Sequence, residues 1–286
     1  MHQAYAIRPI GEKLLFNEGG FWDQSFAITN KGVRQFATEF YPVAGKFRAN
    51  YFYQDLISRG LLNCTYGPPL KNLPFLEDTK ALHDSIGHFL DSFVAAYYTS
   101  REMLETDDEV QSWVQEVANE ALVLDFPTGP LTSRTSLKEI LTQISFLIGV
   151  SHHVLNSGEP VATSGLLPLH PSALYAPVPN HKGIKSIMPY LPPMDESIGQ
   201  IALLARFNRP FLQEQNRTLP FMFSSEEFMN RGSPEVKEAV IRFEDRMQAI
   251  SRDINQRTFD ADGLSQGMPF IWQALDPNRN PYFLSV

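Results

Sequence analysis

In Ser151-His152-His153-Val154-Leu155-Asn156 a histidine and an asparagine stand four residues apart. On an α-helix that spacing is about one turn, so an imidazole nitrogen and an amide oxygen can face the same metal ion. His153 points about 100° away and is not part of that pair. A further oxygen donor lies at the other end of the chain. The tail Asn278-Arg279-Asn280-Pro281-Tyr282-Phe283-Leu284-Ser285-Val286 is apolar near its tip. A terminus drawn inward brings its free carboxylate along, where a surface terminus would leave it in water. Each feature also has a plainer reading. His152 can be a hydrogen-bonded core histidine, Asn156 a helix C-cap ahead of Gly158, and the tail a hydrophobic segment docked on the surface.

A second histidine pair occurs in His83-Asp84-Ser85-Ile86-Gly87-His88. On a regular helix these two rings diverge by about 140°, so they share an ion only if the helix is bulged. They read as ordinary helix residues.

Three helices must position these groups. Leu82, Ile86, Phe89, Leu90, Phe93, Val94 and Tyr97 recur at three- and four-residue spacing, which predicts a half-exposed amphipathic helix over 77–103 with Pro74 just before it. Ser136-Leu137-Lys138-Glu139 reads as a capping box that opens a helix over 136–156. From Ile144 to Val150 that helix is apolar on every side, which predicts burial all round. A polar pair that closes so apolar a helix needs specific partners. Ser233 and Pro234 start a third helix, with Val236, Val240, Phe243, Met247, Ile250 and Ile254 as its core-facing stripe. Between the second and third helices prolines accumulate from Pro160 to Pro193, so the chain there is irregular, with one more helix near 194–207. Strand alternation is weak and no compositional boundary divides the chain. A mainly α, single-body architecture over 1–286 is expected.

Composition narrows the partners. The 24 basic and 32 acidic side chains give a net charge of −8, which disfavours nucleic acid or an anionic membrane as the main partner. Cys64 is the sole cysteine, so neither an intrachain disulfide nor a thiolate cluster can form. No apolar run of about 18 residues marks a transmembrane helix, and no signal peptide begins at Met1. Asn63-Cys64-Thr65 and Asn216-Arg217-Thr218 are glycosylation sequons if the protein is exported.

Nearly the whole chain resembles the C-terminal portion of the helical catalytic domain of lipoxygenases, nearest the fungal manganese group. The resemblance is carried by His152, Asn156 and Val286, by Arg8-Pro9-Ile10-Gly11-Glu12 through Gly19-Gly20-Phe21-Trp22-Asp23, by Leu73-Pro74 to Tyr97-Tyr98, and by the acidic stretch from Asp107 through Trp113. It implies that His152, Asn156 and the Val286 carboxylate are metal ligands. It also implies that Gly11 lies where a small residue steers dioxygen to one face of the substrate. The bland reading of Gly11 is a turn glycine after Pro9. A valine terminus favours the fungal group.

The implied activity is dioxygenation of polyunsaturated fatty acids such as linoleate to hydroperoxides, begun by hydrogen abstraction at a metal(III)-hydroxide. Nitrogen and oxygen donors without thiolate suit manganese or iron alike; the resemblance to the fungal group implies manganese, with iron as the alternative. Arg206, Arg209 and Arg217 are candidates to meet the substrate carboxylate. The resemblance further implies a monomer, export of the intact protein, and a first pair of ligand histidines upstream of Met1. A chain lacking that pair is expected to hold metal poorly and turn over little. The competing expectation is a non-catalytic helical remnant that binds lipid or protein.

Overall fold

The computed structural model describes residues 19–25, 29–62, 74–151, 175–176, 180–186, 188–198, 217–256 and 273–282. In chain order its helices are α1 (Phe21–Ser25), α2 (Asn30–Ala44), α3 (Phe52–Ser58), α4 (Pro74–Tyr97), α5 (Arg101–Glu105), α6 (Asp108–Asn119), α7 (Arg134–Phe146), α8 (194–198), α9 (Glu226–Arg231) and α10 (Pro234–Gln256). A π-helix, Leu147–Ser151, continues α7, and 3-10 turns occur at Met188–Tyr190 and Leu219–Phe221. Among the described residues, extended backbone pairs only at an antiparallel bridge between Thr218 and Pro281. No helix there is long and apolar enough to cross a membrane. The protein is mainly α, as the sequence predicts.

Contacts divide the chain into two compact units, Met1–Val43 with Asn156–Arg209 and Ala44–Leu155 with Pro210–Val286. In the second unit α4 packs on both α7 and α10. The apolar positions of α4 explain this: Leu82, Ile86, Phe89, Leu90 and Val94 are all buried. Glu77, His88, Asp91 and Ala95 are exposed, so the helix is half exposed as expected. Its extent over 77–103 is corrected: it starts at Pro74 and stops at Tyr97. A new helix, α5, starts after Ser100, whose side chain accepts from the Met103 amide and caps it.

Helix α10 follows its predicted stripe, with Val236, Val240, Phe243, Met247 and Ile254 buried. The predicted start of α7 is shifted. Ser133 caps the helix by accepting from the Ser136 amide, so Ser136 lies inside the first turn and the capping box is not used. Leu137, Ile140 and Phe146 face the core, but Leu147 and Ile148 are 41% and 37% exposed. Burial on every side is thus not what α7 and its π-helix show. An apolar run fixes which residues can be buried, whereas the number of packed neighbours decides which are.

In the first unit Asp23 accepts from the Gly19 amide at 2.9 Å and from the Asn30 amide at 2.6 Å, tying α1 to the start of α2. These backbone bonds hold its carboxyl below the ordinary range. Helix α2, which the sequence reading did not anticipate, exposes a stacked pair, Phe36 and Phe40. Residues 194–198 begin the helix expected near 194–207; the rest of that stretch lies outside the described residues.

Candidate functional site

Gly11, His152, Asn156 and Val286 lie outside the described residues, as do Arg206 and Arg209. The structure does describe the segment leading to His152 and the segment leading to Val286. The first is the π-helix Leu147–Ser151. A π-turn bonds residue i to i+5 and is rare; within α-helices it occurs often at functional sites. The α-helix predicted through 136–156 gives way to it at Leu147.

The π-helix is packed tightly at Gly149. A Cβ there would lie 2.9 Å from Met222 Cε and 3.2 Å from Leu219 Cδ2. Leu219 is fully buried and shares one core with Val150, Phe243 and Leu275. The same short turn holds the tail. The Leu219 amide donates to the Asn280 carbonyl at 2.8 Å, and the Tyr282 amide donates to the Arg217 carbonyl at 3.2 Å. Residues 217–222 therefore touch the π-helix through side chains and the tail through backbone. The approaches to His152 and to Val286 meet on one element.

A polar network, missed in the sequence reading, ties the tail to α10. Gln248 and Asn278 exchange amide hydrogen bonds at 3.0 and 2.9 Å. Asn278 also donates to Ser251 Oγ at 3.0 Å, and Asn255 donates to Asp276 Oδ2 at 2.8 Å. Asp276 Oδ1 accepts from the Asn278 amide at 3.0 Å, an Asx turn, and Asn280 Nδ2 donates to the Ala274 and Asp276 carbonyls. Two sequence signals were available. Gln248, Ser251 and Asn255 form a polar stripe beside the apolar one on α10, and Asp276-Pro277-Asn278-Arg279-Asn280-Pro281 is dense in turn-forming residues.

The second histidine pair borders a cleft of about 540 Å³ with Phe52, Tyr53, Asp84, Gly87, Lys138 and Thr142. His83 stacks on Phe52 with centroids 4.6 Å apart and meets Tyr53 and Phe146 edge-on. Burial pushes its pKa down, partly opposed by a contact with Asp84 Oδ1 at 3.4 Å. Asp84 also accepts from Tyr53 Oη at 2.6 Å, and burial, then this bond, raise the Tyr53 phenol. His88 is exposed. His83 thus packs its ring against Phe52, Tyr53 and Phe146 at the edge of the cleft. Among the described residues, no group of three or more histidine, cysteine, aspartate or glutamate side chains could hold a metal ion.

The acidic stretch after α4 is also structural. Asp107 caps α6 by accepting from the Val110 amide at 3.0 Å and accepts from Tyr98 Oη at 2.7 Å. Arg217 is exposed and its carbonyl is occupied by the Tyr282 amide.

These relations define the class of protein: a helical domain that anchors its own carboxy-terminal tail on the turn packed against a π-helix leading to a histidine. The lipoxygenase family model matches residues 1–265. Manganese lipoxygenases of Colletotrichum gloeosporioides (strain Cg-14) and Fusarium oxysporum (strain Fo5176) are each 53% identical over 288 aligned residues, spanning 100% of this chain and 47% of theirs. A solved manganese lipoxygenase superposes with a TM-score of 0.83 at 47% identity, covering 100% of this chain and 51% of the other. The chain belongs to the lipoxygenase family, and its fold is that of part of the lipoxygenase catalytic domain. It spans about half the length of the relatives it matches.

Proposed function

We propose that this chain forms the C-terminal part of a manganese-dependent dioxygenase of polyunsaturated fatty acids. The observation that supports the reading best is the meeting, on residues 217–222, of the π-helix before His152 and the tail before Val286. The manganese lipoxygenase relatives supply the metal and the reaction class.

The chemistry of the donor set fits the metal. His152 offers an imidazole nitrogen, Asn156 an amide oxygen and Val286 a carboxylate, with no thiolate among them; such donors suit manganese or iron, and the manganese lipoxygenase relatives favour manganese. When bound, the metal supplies the one-electron chemistry needed to break a C–H bond between two alkenes, which no side-chain acid or base achieves near neutral pH. The chain's own part is positional. By the same likeness Gly11, which carries no side chain, would leave room beside the acyl chain for dioxygen.

The test is a manganese titration of the purified chain followed by electron paramagnetic resonance, alongside His152→Ala and His88→Ala. His152→Ala should weaken binding at least tenfold and His88→Ala should leave it unchanged. Equal binding by the wild type and His152→Ala would remove His152 from the site.

A further inference from the structure

The polar stripe of α10 carries more hydrogen bonding than a docked hydrophobic tail requires. Ser251, Asp276 and Asn280 are 5%, 3% and 7% exposed, so their polar atoms are withdrawn from water and depend on protein partners. The partners run along one line. Gln248, Ser251 and Asn255 are spaced by three and four on α10 and meet Asn278 and Asp276 in turn. Gln273 Nε2 donates to Asn255 Oδ1 at 2.6 Å, and Arg279 donates to Gln273 Oε1 at 2.7 Å, so the segment is held from its first described residue onward. At its far end the backbone bonds of Asn280 and Tyr282 pass it to residues 217–219.

We infer that the Gln248–Asn278 amide pair, with Ser251, Asn255 and Asp276, is a clamp that fixes the register of residues 273–282 on α10, and so holds the tail that leads to Val286. Hydrophobic contact alone cannot do this, because it is non-directional and lets a tail slide. Reciprocal amide bonds fix register, since a shift of one residue breaks both at once. Gln248 and Asn278 are positioning residues; neither is offered as a ligand. The link to the metal rests on the function proposed above, whereas the clamp itself stands on the hydrogen bonds.

The experiment uses the full chain and separates the two. Release of Val286 by a carboxypeptidase is followed for the wild type, for the double variant Gln248→Ala with Asn278→Ala, and for the swap Gln248→Asn with Asn278→Gln. The swap keeps both amides and the summed length of the two side chains. Helix melting is recorded for each, and manganese affinity by titration. The clamp predicts slow release from the wild type, release at least tenfold faster from the alanine pair with little change in melting, and recovery in the swap. Rapid release from the wild type, equal release from all three, or faster release accompanied by early melting of the helices would overturn it. If the alanine pair frees the terminus while manganese affinity stays the same, the clamp is upheld and Val286 is not a ligand.

Discussion

The α-carbon of Gly149 lies against the side chain of Met222, so close that a Cβ would come within 2.9 Å of the Met222 methyl. This contact seats the 3-10 turn on the π-helix three residues before His152. Gly149→Val should therefore overpack the junction, costing about 1–3 kcal/mol. Met222 is flexible and lies at the far end of the clash, so Met222→Ala in the Gly149→Val background should recover part of the loss. Urea unfolding of the two single variants and the double variant measures the coupling; simple additivity would show that the two sites do not press on one another.

His83 gives a pH dependence whose sign follows from its surroundings. Burial against Phe52 lowers its pKa below the ordinary 6.5, so near neutrality the folded chain carries it uncharged. Its contribution to stability is complete above the unfolded value and is lost as pH falls from there through the folded value. His83→Phe keeps a stacking ring and removes the proton site. The variant should lose less stability than the wild type between pH 7.5 and 5, as read from melting temperatures across that range. Parallel pH curves would show that His83 does not titrate with unfolding.

Asp107 joins two elements through one carboxylate. It caps α6 at the Val110 amide and accepts from the Tyr98 phenol; the Val110 bond, then the Tyr98 bond, hold its carboxyl below the ordinary range. The phenol in turn is raised to about 12 by burial and then by Asp107. Asp107→Ala should cost about 1 kcal/mol, the usual value of a lost N-cap, while Asp107→Asn should cost less. With a depressed carboxyl, the stabilisation is present above the ordinary pKa and fades as pH falls through the folded one. Chemical denaturation at pH 7 and pH 3 should show the wild type losing part of its advantage over Asp107→Asn.

What could be read from the sequence depended on whether a local pattern fixed the outcome. The stripe of α10 did, because Val236, Val240, Phe243 and Met247 have one way to be buried together. The end of α4 at Tyr97 and the start of α7 at Ser133 did not, because several nearby residues could cap and the choice is made by tertiary packing. The π-turn at Leu147 left no periodic trace in a run that is apolar throughout. The tail clamp was visible as residue types, but pairing Gln248 with Asn278 across 30 residues needs the fold. The sequence also singles out His152, Asn156 and Val286, which lie outside the described residues.

The aromatic side chains offer the sharpest contrast between composition and role. Phe243 is fully buried, with its ring centroid 5.0 Å from that of Phe223 and 5.9 Å from that of Phe89, and it sits in the core that also holds Val150 and Leu219. Phe36 is 57% exposed and, among the described residues, stacks on Phe40, itself exposed. A sequence count treats the two alike. Truncation should not: Phe243→Ala removes a ring from a filled space and should cost about 3–5 kcal/mol, whereas Phe36→Ala should change stability by about 0.5 kcal/mol or less. Because Phe243 shares its core with the turn that supports the tail, its truncation should also speed carboxypeptidase release of Val286, and Phe36→Ala should not. Unfolding curves and terminus release, measured on the same preparations, check both halves; equal costs at the two positions would mean that the α4–α10 core does not hold the tail.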